Sequence, residues 1–179
     1  MTEIAPVEVS IHVAAAPAEV FRYLVEPGLY VRWMGREAVL EATPGGAYRV
    51  AMADGFAAAG AFAEVTEPQR VVFSWGFADD EAATHTKHAP GEAPPPGGAM
   101  PAGSTRVTVT LHGESGESSE SSEDGEDTVT RLTLRHEDLP SDELRAAHEV
   151  AWNTYLPRLA IVAAGGDPGP DPHAPAGPP

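Results

Sequence analysis

Two histidines occupy positions where aliphatic residues would be expected, and they are the side chains here best suited to chemistry. His136 follows Leu132 and Leu134 at every second position, which puts it on the inward face of a strand. His148 belongs to the series Leu144, His148, Trp152, Tyr155, Leu159 and Val162, whose steps of three and four mark one face of a helix. Imidazoles on the apolar faces of two elements are expected to meet in one interior. There they could take a proton near neutral pH, with Tyr155 polarising a carbonyl. Nothing in the sequence sets out a nucleophile with its base and orienter.

Metal chemistry has little support. His148-Glu149-Val150-Ala151-Trp152 begins like a zinc-protease helix, but Trp152 stands where the second histidine is needed. His85 and His88 form an H-x-x-H pair without a third ligand, and Pro90 is too close for a helical turn to carry them. Gly98 to Ser104 resembles a phosphate loop only superficially, since the lysine before the serine is missing. No metal and no cofactor are expected.

Around the imidazoles the sequence places rings. Val71, Phe73, Trp75 and Phe77 alternate along a strand, Trp33 follows a short helical stretch, and Met52 continues the alternation of Tyr48 and Val50. A ligand pocket is usually apolar wall with a few placed polar groups. The expected lining is therefore Trp33, Met52, Phe73, Trp75, Phe77, Trp152 and Tyr155 as walls, with His136, His148 and Tyr155 as polar points.

The elements that must position these side chains can be read in turn. Ser141 is a good N-cap after Pro140, Asp142 and Glu143 suit the first turn, and Gly165-Gly166 stops the pattern, which predicts a helix from Ser141 to Ala164. Pro157 inside it removes one backbone bond and favours a bend. Val7 to Val13 alternates as a strand with His12 on its outer face, and Pro17 opens the first of two short helices. Further strands follow: Ala38 to Leu40, Tyr48 to Met52, a hairpin turn at Asp54-Gly55, Ala57 to Val65, Val71 to Phe77, Val107 to Leu111 and Thr130 to His136. The fold class is α+β, a curved antiparallel sheet of about seven strands wrapped on a long C-terminal helix, with an incompletely filled hollow between them.

Residues 1–164 are expected to form one domain, with mobile insertions at 78–103 and 113–127 and a disordered tail at 165–179. The formal net charge is -16, but twelve of those charges belong to the insertions and the tail. The basic residues are scattered, which argues against nucleic acid. There are no cysteines and no apolar run of signal or membrane length, so a cytoplasmic protein without a membrane span is expected.

Several motifs occur together in a familiar order: Ala16 to Phe21, Glu26-Pro27-Gly28 through Trp33, Pro44-Gly45-Gly46, Gly60 to Val65, Pro68 to Trp75, Thr130 to Leu134 with His136, and His148 to Trp152. This set resembles START-like SRPBCC domains, in the branch named for the C-terminal domain of the activator of the heat-shock protein 90 ATPase. The resemblance spans about Val7 to Ala164 and implies the helix-grip fold. It also implies a hydrophobic small molecule as partner, polycyclic or polyketide-derived and including enediynes, in biosynthesis or self-resistance. Two alternatives stay open: a polyketide aromatase, cyclase or hydrolase using the cavity histidines, and a chaperone-cofactor-like interaction domain. The oligomeric state is not legible.

Overall fold

The computed structural model describes residues 3–52, 57–78, 100–114 and 129–172. Ten elements follow one another: β1 (Val7–Val13), α1 (Pro17–Val25), α2 (Pro27–Tyr30), β2 (Glu37–Leu40), β3 (Ala47–Ala51), β4 (Ala57–Thr66), β5 (Arg70–Trp75), β6 (Thr105–Glu114), β7 (Val129–Glu137) and α3 (Asp142–Ala163). The strands form one antiparallel sheet in the order β1-β7-β6-β5-β4-β3-β2. Apart from β1, which crosses to pair with β7, the sheet is a meander. This is the helix-grip arrangement expected from the sequence.

Alternation decides which side chains reach the interior. Along β7, Thr130, Leu132, Leu134 and His136 are buried while Arg131, Thr133 and Arg135 are exposed. The outer face is held by strand-to-strand ion pairs such as Arg135 with Glu8 and Arg131 with Glu114, and His12 lies there beside Glu114. A bulge in β4 between Phe62 and Glu64 breaks the register with β5, the kind of defect that bends a strand and curves a sheet.

Ser141 caps α3, accepting a hydrogen bond from the Leu144 amide at 3.1 Å. The predicted stripe is the buried one: His148, Trp152, Tyr155, Leu159 and Val162, joined by Leu156 and Ala163. The helix runs for 22 residues with Pro157 inside it, about 33 Å at 1.5 Å per residue. Its backbone approaches β1 most closely. Arg145 secures its first turns by donating to the Ala5 carbonyl at 3.0 Å.

The short helices close the far end of the grip, as expected. Tyr23 of α1 donates to the Val162 carbonyl at 3.2 Å, and Trp33, just after α2, donates its indole N–H to the Tyr23 carbonyl at 3.0 Å. Arg158 of α3 returns a bond to the Trp33 carbonyl at 3.1 Å. Met100, where the described chain resumes after Ala78, is fully buried.

Three expectations need amendment. Met52 lies one residue past the end of β3 and is half-buried at the core's edge. Phe77 is not part of β5: the strand ends at Trp75, and Phe77 forms isolated bridges to Ala58 and Pro101. Gly76 permits this, since a Cβ there would collide with the Pro101 carbonyl oxygen. The tail predicted to be disordered from residue 165 instead folds back at least to Asp171. Arg158 donates to the carbonyls of Pro168, Gly169 and Pro170, and Tyr155 donates to the Asp171 carboxylate at 3.0 Å. Asp54-Gly55, His85, His88 and the acidic tract from Ser115 lie outside the described residues. Among the described residues no helix is long and apolar enough to cross a membrane.

Candidate functional site

Five of the nine predicted site residues come together where α3 faces β5, β6 and β7. Trp75 is the hub. Its ring centroid lies 5.0 Å from His148, 5.1 Å from Phe77, 5.5 Å from His136 and 6.5 Å from Trp152. The two imidazoles are 5.2 Å apart and nearly perpendicular. Edge-to-face contacts of this kind suit rings whose faces are negative and edges positive.

Strand register explains the assembly. Trp75 pairs with Thr105 across β5 and β6, while His136 pairs with Val107 on one side and Val7 on the other. Thr105 therefore lies between the indole strand and the imidazole. The hydrogen bonds then fix the His136 tautomer. An indole N–H can only donate, so Trp152 Nε1 donates to His136 Nδ1 at 3.1 Å. Nε2 then carries the proton and donates to Thr105 Oγ1 at 2.8 Å, and the Thr105 hydroxyl donates to the Trp75 carbonyl at 2.8 Å.

Both nitrogens of His136 are thus committed, and burial drives its pKa down to about 3, with His148 adding to the effect. This corrects the expectation of a base near neutral pH at this position: His136 is a neutral structural bridge between sheet and helix. His148 differs. Its Nδ1 donates to the Leu144 carbonyl at 2.7 Å, which leaves Nε2 as the acceptor of the neutral ring. Burial lowers its pKa too, opposed by the bond to Leu144.

The other predicted residues form a second group. Phe73 stacks on Tyr48 at 4.3 Å, and Trp33 packs on Tyr30 at 4.7 Å. Tyr30 and Tyr48, which the sequence reading did not single out, share a hydroxyl–hydroxyl bond of 2.6 Å. The Tyr30 hydroxyl also reaches Met34 Sδ at 3.7 Å. Burial raises both phenols, so they stay neutral. Tyr155 is buried beneath α3 but spends its hydroxyl on Asp171 rather than on the imidazoles.

Two features bear on chemistry. The buried polar side chains among the described residues are Thr105, Thr130, His136 and His148, none of them a carboxylate, ammonium or guanidinium. And among the described residues one buried side-chain N or O atom lacks a hydrogen-bond partner: Trp75 Nε1. The Tyr48 hydroxyl lies near that indole nitrogen but outside hydrogen-bond geometry. The described residues contain no group of three potential metal ligands.

Comparison with known proteins places this architecture. Among solved structures, the AHSA1-like protein RHE_CH02687 from Rhizobium etli is 37% identical over 96% of this chain and 92% of its own, with a TM-score of 0.56. DynU16, a protein of the dynemicin biosynthetic locus, is 22% identical over 92% of this chain with a TM-score of 0.65, and the match spans only 49% of DynU16. CalU16 from Micromonospora echinospora is 19% identical over 89% of this chain and 76% of its own, with a TM-score of 0.57. No curated protein matches the sequence. The sequence model described as Activator of Hsp90 ATPase homolog 1-like protein matches residues 14–164. The chain belongs to this AHSA1-like family, within the START-like superfamily that its motifs resemble.

Proposed function

We propose that this protein binds a hydrophobic small molecule, aromatic or polyketide-derived, between the inner face of the sheet and α3. One observation carries the reading: Trp75, Phe77, His148 and Trp152 form an uncharged aromatic surface where the inner face of the sheet meets α3. Such a surface offers stacking and dispersion to a flat guest without desolvating an ion. The rings touch one another, so a guest has to part them to enter. An enediyne or another polycyclic polyketide is the guest class that the family resemblance suggests. The likeness to DynU16 is in keeping with it.

Acid-base catalysis has less support, because His136 has both nitrogens in structural bonds and only His148 Nε2 is left to act. The test is tryptophan fluorescence during titration with a panel of polycyclic aromatic compounds. Saturable quenching is expected, since two of the three indoles line the site. A flat response across the panel, with no change in protein resonances, would overturn the reading.

A further inference from the structure

We infer that the guest is electrically neutral and is anchored by an oxygen acceptor, such as a ketone or quinone carbonyl, placed on Trp75 Nε1; this rests on the binding reading above. The neighbouring polar groups are already matched to one another. Trp152 and Thr105 satisfy His136, Trp33 is bonded to the Tyr23 carbonyl, and Tyr30 and Tyr48 hold each other. Trp75 Nε1 is the one buried side-chain N or O atom among the described residues left without a partner, on a residue only 4% exposed.

A buried donor without a partner is left desolvated and uncompensated, and a guest that supplies the partner recovers that cost. An indole N–H can donate and do nothing else, so its complement must be an acceptor. Charge is settled by what surrounds it. A carboxylate entering here would be stripped of water with no buried Lys or Arg among the described residues to meet it, and an ammonium would find no buried Asp or Glu among them. A neutral carbonyl on a flat ring system meets both demands. It also separates the roles of the rings: Phe77, His148 and Trp152 give area, whereas Trp75 gives orientation.

The experiment uses three matched tricyclic probes, 9-fluorenone, fluorene and fluorene-9-carboxylate, titrated by calorimetry into the wild-type chain and into Trp75→Phe. On the wild type, fluorenone is expected to bind at least tenfold more tightly than fluorene, with the carboxylate weakest. Trp75→Phe keeps a ring but removes the donor, so the preference for fluorenone should vanish while fluorene affinity changes little. In parallel, the wild-type indole N–H resonance of Trp75 should shift with fluorenone and stay put with fluorene, a readout that needs no variant. Equal affinity for fluorenone and fluorene, a preference that survives Trp75→Phe, or tightest binding of the carboxylate each overturns this inference while leaving the binding reading in place. Failure of all three probes to bind overturns both.

Discussion

Acidification should loosen this fold through one residue. His136 is fully buried, with Nδ1 accepting from Trp152 and Nε2 donating to Thr105. A second proton on Nδ1 would set two donors, that N–H and the Trp152 indole N–H, against each other. The folded chain therefore keeps the ring neutral down to a pKa of about 3, against 6.5 for a free histidine. The sign follows: between those values the unfolded chain takes up a proton that the folded chain refuses. The stabilising contribution is complete above pH 6.5 and is lost as the pH falls toward 3. Each pH unit in that window costs about 1.4 kcal/mol, so three units remove about 4 kcal/mol. Against a total of roughly 5–15 kcal/mol for a domain, that is a large share.

The assay is urea unfolding at pH 7, 6, 5 and 4, followed by tryptophan fluorescence, on the wild type and on His136→Gln. Gln cannot titrate, so the difference between the two curves isolates position 136 from the carboxylates and from His148, whose pKa is also lowered. The wild type should lose its advantage steadily toward pH 4, and its His136 ring resonances should not titrate above that pH. Parallel stability profiles for the two proteins would refute the bridge.

Three further substitutions probe the same framework. Trp152→Phe keeps most of the ring but leaves His136 Nδ1 buried without its donor, so a loss of about 1–3 kcal/mol is expected, smaller than the roughly 3–5 kcal/mol for Trp152→Ala; chemical denaturation measures both. Arg158→Ala removes the donors for the carbonyls of Trp33, Pro168, Gly169 and Pro170, and should expose residues 166–171 to limited proteolysis well before α3 is cut.

The sequence was most informative where a repeat enforced one face. Leu132, Leu134 and His136 could be assigned inward because a strand offers two faces only, and the α3 stripe could be drawn because its spacing holds from Leu144 to Val162. Contacts between elements left no such trace. Tyr30 and Tyr48 meet through hydroxyls although Tyr30 ends a one-turn helix and Tyr48 lies on a distant strand. Thr105 reads as a polar strand residue before Val107, and only the register with Trp75 and the adjacent His136 shows it as a relay. The chain after Gly165 is rich in Pro and Gly, a composition typical of disorder. What holds it is the Arg158 guanidinium bonding to backbone carbonyls and the Tyr155 hydroxyl bonding to Asp171, which composition cannot reveal.

The most direct measurement is an isotope-filtered NOE experiment on labelled protein saturated with unlabelled 9-fluorenone. Binding in the grip predicts contacts from the probe to the rings of Trp75, Phe77 and His148 and to nearby inner-face methyls such as those of Val107. Contacts confined to the outer face, at Thr108, Thr110 and Thr133, or no contact at saturation, would contradict it.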